Sequence, residues 1–340
     1  MKTKSFLQFV GPSVVLMLLL LAVPLATTFY LSVRNCALEM EMVTVEESTP
    51  FGKKETLTQR AKLDGTGKAI QNCGYVGLDY YKKVLGLYPT SSVDTVVEQP
   101  DATKSNANED KAGNEFVGAL KFTMLYTVVT LPFILGIGFL LALAVNNVTQ
   151  SLKGFIISAS LLPFIITPVV AALSIKWLFR DNGLVPYLLS NFGIEVFWMA
   201  QAWSARALII VYGIWHVVPF AFIVLYAGLQ SVPQDSLEAA TIDGATRWQK
   251  LRYVTLPHLA PLLLFITLIH LMDAYRVFEP VLVLTQGAFT TSVQYLTYHI
   301  LLNEGNPYKA SAAAVLTLIG IVFLIIPLLV QTWREQKRGV

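Results

Sequence analysis

The stretch "SVPQDSLEAATIDGATRWQKLRYVTLPHLAP" (Ser231–Pro261) sits between two long apolar runs, yet it is polar, charged and rich in helix formers. Ser231 and Gln234 have the S-x-x-Q spacing of a capping box, and Pro233 falls in a first turn, where its missing N–H costs nothing. This predicts a helix through Asp235–Asp243, with Leu237, Ala240 and Thr241 on one face. Gly244 is its natural stop, because only glycine enters the left-handed region without a Cβ penalty. Thr246 and Gln249 repeat the capping-box spacing and open a second helix, expected to end before Leu256–Pro257. The segment therefore reads as two short helices joined at Gly244.

The rest of the chain explains where such a segment lies. Of 340 residues 54% are hydrophobic and only 14% charged, with a mean hydropathy of +0.57. A soluble domain carries roughly 25% charged residues, so this is a membrane protein. A bilayer core needs about 20 consecutive apolar residues in a helix. Six spans qualify, near Val10–Val33, Val117–Val145, Phe155–Leu178, Ala207–Leu229, Leu259–Leu284 and Ala312–Thr332. Lys2 and Lys4 precede the first, but its apolar run outlasts a signal-peptide core of about 7–15 residues, which favours an uncleaved helix.

Orientation follows from Lys and Arg in the short connections. With the N-terminus cytoplasmic, the inside segments hold nine: Lys2, Lys4, Lys153, Arg247, Lys250, Arg252, Arg334, Lys337 and Arg338. The short outside segments hold three, Arg180, Arg206 and Lys309. Both termini and the Ser231–Pro261 stretch are then cytoplasmic, in a cell membrane. No basic stripe exceeds what this asymmetry explains, so no nucleic-acid partner is expected.

Between the first two spans lies an extracytoplasmic insert, 34–116, of unassigned fold. It is polar, and its segment Tyr75–Gly86 ("YVGLDYYKKVLG") forms an amphipathic patch. The stretch Pro89–Glu115 has few large apolar side chains and reads as flexible. Cys36 and Cys73 both fall in the insert, where oxidation is permitted; they are either a disulfide or two thiols. Neither has a His or Cys at metal-ligand spacing, so no metal site is expected.

Within the spans, Pro132, Gly136, Gly138, Pro163 and Pro168 mark breaks that membrane helices tolerate where they line a cavity or pack closely. In the fifth span His270, Asp273, Arg276 and Glu279 follow at three-residue steps. Ionisable groups at this depth cost about 2.5–3.5 kcal/mol each and face a cavity or a partner. They read either as a polar lining or as an internal ion pair between Asp273 and Arg276. No catalytic constellation appears among the scattered histidines His216, His258, His270 and His299, and "GTGK" (Gly65–Lys68) lacks P-loop spacing.

Here the residues become recognisable. "EAATIDGATRWQKLRYVTLP" resembles the EAA loop of importer-type ABC transporter permeases, whose pattern is E-A-A-x-x-x-G followed by a basic, aromatic helix and L-P. "YVGLDYYKKVL", "LLPFIITPVVAALSIKWLF", "IWHVVPFAFIVLYAGLQSVP" and "FEPVLVLT" are similar to further blocks of the sugar branch, from Tyr75 to Leu329. The chain departs from the pattern in the insert and in "QGAFTTS" (Gln286–Ser292).

The resemblance implies an all-α membrane protein with the six-helix type I importer permease fold and an extracytoplasmic insert after helix 1. It implies the larger subunit type, maltose-permease-like or glycerol-phosphate-like, with a permease core over 117–333 and a coupling loop over 231–257. The expected partners are a second related permease, a homodimeric ATPase that binds the ATP, an extracytoplasmic solute-binding protein and a sugar-like solute; the chain itself needs no cofactor. Glu238, Ala239, Ala240, Asp243, Gly244, Ala245 and Arg247 would contact the ATPase. Trp215, His216, His270, Asp273, Tyr275 and Arg276 would line the solute path, Trp215 stacking on a sugar and His216 donating to it. An ion-coupled transporter or a membrane-embedded enzyme are the alternatives; they would need coupling carboxylates in discontinuous spans or a catalytic cluster.

Overall fold

The computed structural model describes residues 3–38, 40–49, 52–64, 71–87 and 109–338. The chain divides into two compact units, one of Met1–Ala112 with Ile300–Leu316, the other of Gly113–His299 with Thr317–Val340.

In the first unit, helix α1 (Thr3–Ser32) is apolar on every side. The most apolar window of its span, Val10–Ser32, buries nothing within the protein, as expected of a helix facing lipid; at its end Ser32 is buried against the Tyr81 hydroxyl. Four strands follow, β1 (Arg34–Leu38), β2 (Met40–Thr49), β3 (Gly52–Ala61) and β4 (Gln71–Tyr75). β1 pairs antiparallel with β4 and β2 with β3. Cys36 and Cys73 are direct partners in the β1–β4 ladder, with Cα atoms 4.0 Å apart and joined by a disulfide. The strands thus occupy the insert whose fold the sequence left open.

Helix α2 (Asp79–Leu85) is the amphipathic patch. Asp79 sits in its first turn, Lys82 and Lys83 in its last, and left-handed Gly86 caps it, all favourable to the helix dipole. It buries Val84, and packs Tyr80 and Tyr81 with Ala312, with Tyr308 and Val315 around them. Of the stretch expected to be flexible, residues 89–108 lie outside the described residues, as do 65–68; Glu109–Glu115 open a helix.

The second unit begins with α3 (Glu109–Asn146) and continues with α4 (Gln150–Ile165), α5 (Pro168–Phe179), α6 (Leu184–Ser190) and α7 (Ala202–Gln230). Then come α8 (Gln234–Ile242), α9 (Arg247–Lys250), α10 (Leu256–Tyr275), α11 (Val293–Leu302) and α12 (Pro307–Arg338), which reaches back into the first unit. Among the described residues, five helices are long and apolar enough to cross a membrane. The expected third span is not one straight helix: α4 and α5–α6 meet at a bend of 94°. The cause is local. Thr167 precedes Pro168 and is driven to extended backbone, ψ 140°, because the proline ring clashes with a helical predecessor.

The fifth span also differs from expectation at both ends. Its helix starts earlier, running from Arg247 to Tyr275, because a π-helical turn at Leu251–Thr255 precedes Pro257. That extra residue puts the hydrogen-bond ladder out of step just where the proline has no N–H to give. Its other end comes at Tyr275, with Arg276 as the cap, rather than at Leu284.

Close contacts between α3 and α7 need glycine: a Cβ on Gly138 would lie 2.8 Å from that of Ala221. Around this contact Ile134, Val145, Val218, Phe222, Leu225 and Ile266 form one core cluster. Phe122, Tyr126, Leu208, Ile209, Tyr212 and Val281 belong to another.

Candidate functional site

The loop after α7 forms from capping chemistry. Ser231 does not cap α8: its hydroxyl donates back to the Gly228 carbonyl (2.8 Å) and stands 3.0 Å from His258 Nε2. It therefore ties the end of α7 to the start of α10, and Pro233 occupies the cap position instead. α8 ends as expected at Gly244, with φ +74°. The Gly244 and Ala245 N–H groups donate to Thr241 and Ala240, the paired bonds of a Schellman turn. Thr246 and Gln249 form the second capping box. Lys250 Nζ then donates to Thr241 Oγ1 (2.8 Å), bracing the two helices.

None of the α8 side chains is buried. Glu238, Ala239, Asp243, Gly244 and Arg247 are exposed, and Ala240 and Ala245 half-buried. Sequence reasoning missed the large apolar groups beside them: Ile242 is 87% exposed, Trp248 65% and Tyr253 69%. The signal was present, as Ile242 interrupts an otherwise small and polar segment.

Inside the unit is a 330 Å³ cavity lined by α3, α7, the α4–α5 break and the end of α10. His216, His270, Asp273, Arg276 and Glu279 all line it. The last four do not share one helix face, because α10 stops at Tyr275; the chain's turn brings Glu279 back to the same space. Among the described residues no ion pair joins Asp273 to Arg276; one joins Lys309 to Glu304. Trp215 and Tyr275 are not in the lining. Trp215 is partly exposed beside Tyr212, and Tyr275 is buried with its ring against Gly320.

One wall is aromatic. Phe164 stacks on Phe220 at 5.8 Å, and Tyr212 on His216 at 5.7 Å. Tyr212, His216 and Phe220 are four residues apart, hence on one face of α7. The same face repairs the α4–α5 break: Tyr212 donates to the Pro168 carbonyl (2.9 Å) and His216 Nε2 to that of Ile166 (3.3 Å). Carbonyls freed in a membrane must find such partners. His216 is thus already engaged with the backbone.

Behind the lining, α3 carries buried threonines that sequence reasoning overlooked. Thr123, Thr127 and Thr130 bond back to carbonyls of their own helix. Thr130 Oγ1 also stands 2.8 Å from His270 Nε2. A hydroxyl has one hydrogen, and the 2.7 Å bond to the Tyr126 carbonyl takes it. With the hydroxyl hydrogen so placed, Nε2–H donates to Thr130 and Nδ1 is left as a lone-pair acceptor. That Nδ1 is buried and has no partner.

Tyr126 reaches the cavity because Gly213 faces it; a Cβ at Gly213 would lie within 2.1 Å of the Tyr126 hydroxyl oxygen. Gly213→Ala should therefore destabilise the protein by about 1–3 kcal/mol through overpacking. Thermal unfolding in detergent checks this, and Gly136→Ala, where a Cβ meets nothing within 4 Å, serves as the neutral comparison.

Residues 113–340 match the family described as the binding-protein-dependent transport system inner membrane component. The chain belongs to this family of permeases. The permease is 33% identical over 217 residues to the trehalose/maltose transport system permease protein MalF of Thermococcus litoralis, covering 62% of this chain and 72% of that one. It is 28% identical over 217 residues to the sn-glycerol-3-phosphate transport system permease protein UgpA of Agrobacterium fabrum, covering 62% and 73%. A crystal structure of a bacterial ABC transporter involved in the import of alginate superposes with TM-score 0.58 at 28% identity, covering 65% of the permease and 79% of that chain. The permease is a multi-pass membrane subunit of an importer that works with a solute-binding protein, and is not itself an enzyme.

Proposed function

We propose that the permease carries a neutral sugar of one or two rings through the 330 Å³ cavity, driven by an ATPase seated on the Gln234–Tyr253 loop. The observation that carries the loop assignment is the exposure of Ile242, Trp248 and Tyr253 around the Schellman turn at Gly244. Exposed apolar groups clustered on an ordered, polar-rimmed element are covered by a partner. The relatives named for trehalose, maltose, glycerol phosphate and alginate supply the solute classes.

The cavity's size and charge support a choice among these. Its volume is near the lower end of the roughly 300–1,000 Å³ of small-molecule sites, which suits one or two rings. Its charged lining is two carboxylates, Asp273 and Glu279, against one guanidinium, Arg276. A net negative, low-dielectric lining repels phosphate and uronate, while the aromatic wall offers apolar faces to sugar C–H groups. Both termini are cytoplasmic on the Lys and Arg asymmetry, and a second permease, a homodimeric ATPase and an extracytoplasmic binding protein complete the importer. ATP binding moves the loop, the helices rock, and the cavity alternates between the two sides.

Uptake by the complex reconstituted with ATP inside vesicles tests this. Maltose or trehalose should be accumulated in preference to glycerol 3-phosphate, and no uptake should follow from an ion gradient without ATP. Preferred uptake of the anion would sink the neutral assignment, and gradient-driven uptake would sink the importer.

A further inference from the structure

A larger cavity lies at the ends of α3 and α7 remote from the coupling loop. It encloses 710 Å³ between the start of α3, Arg206 on α7, the loop 286–292 and α11. On the orientation proposed above it opens on the outer face.

Its rim is strained. Gln286 and Phe289, at φ 51° and 60°, are the non-glycine residues with positive φ among those described, and both line the cavity. Residues with a Cβ hold such backbone only where their surroundings over-determine it, and such places cluster at ligand sites. The restraints come from the following helix and from a distant one: Tyr295 Oη donates to the Gln286 carbonyl (2.6 Å) and Arg206 Nε to that of Phe289 (3.0 Å). Despite this fixation Phe289 remains 51% exposed, with Lys121 and Arg206 in the same lining.

The two cavities are consecutive along α3. Phe122 lines the outer one and Tyr126, one turn on, the inner one; both are only 5% exposed, a single core layer between the spaces.

We propose that the outer cavity is a second carbohydrate station, holding a sugar ring on Phe289 between Lys121 and Arg206 before it passes the Phe122–Tyr126 layer. The chemistry is that of sugar recognition: an aromatic face for ring C–H groups, and cationic and amide donors for hydroxyl oxygens. The station rests on the sugar-importer reading. It differs from the inner cavity in charge, since two cations here face one carboxylate, Glu115, so the ring meets donors first and acceptors later.

The test places p-benzoylphenylalanine at Phe289, and separately at Phe220 in the inner cavity, in the assembled importer in nanodiscs. Radiolabelled maltose and trehalose are the probes, with and without excess unlabelled sugar. Label competed away at both positions is the expected result. Label at position 220 alone overturns the outer station and leaves the importer reading intact; label at neither overturns both. Crosslinks from position 289 to another polypeptide without sugar label make this face a protein docking surface and overturn the station. In uptake, Phe289→Ala should raise the half-saturating sugar concentration about tenfold, corresponding to ~1.4 kcal/mol, with Phe289→Tyr restoring it. Equal behaviour of the two variants would overturn the role of the ring.

Discussion

Gly244→Val should cut ATP-driven uptake by roughly tenfold or more and strip the ATPase from the purified complex. Gly244 holds φ +74°, where a side chain bearing a Cβ is strained by about 1–2 kcal/mol and a β-branched one by more. No heavy atom of the chain lies within 4 Å of a Cβ added there, so within the chain the added Cβ acts through the backbone. The turn relieves its strain by giving up the bonds from Gly244 and Ala245 to Thr241 and Ala240. α9 then swings relative to α8, and Ile242 and Trp248 no longer present one surface. Gly244→Asn is the control, since asparagine tolerates the left-handed region; it should retain the ATPase and most uptake. Co-purification and vesicle uptake decide it, and a valine variant that keeps both would remove the loop from the coupling role.

The second large effect is expected at His270. Its Nε2–H is committed to Thr130, and its Nδ1 is a buried acceptor without a partner. Leaving such an atom unmatched costs about 1–3 kcal/mol, which a sugar hydroxyl would recover once movement of the helices opens the atom to the cavity. His270→Phe keeps the ring volume and removes the acceptor, so uptake should fall between about tenfold and a hundredfold. Thr130→Val leaves the acceptor but frees the tautomer, and should cost less. A structural role would appear as lower thermal stability with unchanged sugar affinity. Weaker affinity at unchanged stability, together with lost discrimination against a deoxygenated sugar analogue, supports the hydrogen bond.

The spacing of prolines and charges revealed more of the fold than of the site. The 94° break between α4 and α5 was announced by Thr167–Pro168, but its angle depends on Tyr212 and His216 reaching the freed carbonyls. Four charged or ionisable residues at three-residue steps read as a ladder along one helix. Whether Glu279 shares their space depended on the chain turning after Tyr275, which periodicity does not encode. Trp215 and Tyr275 carry sugar-binding chemistry by type, yet lie outside the cavity because their positions on α7 and α10 point them elsewhere. The unexpected contributors, Thr130 and Tyr126, are ordinary residues in an apolar span until His270 and Gly213 are brought to them.

The sequence alone determined what local chemistry governs. That covers the membrane spans, from their apolar length. It also covers the left-handed stop at Gly244 and the capping box at Thr246 and Gln249, because these depend on residues within one turn of each other. Tertiary structure alone decided how residues distant in the chain combine. It joined α3, α7 and the end of α10 around one cavity, and it fixed the proton of His270 through a threonine 140 residues away. A buried polar atom must find its partner in space, and that partner's distance along the chain does not enter the energy.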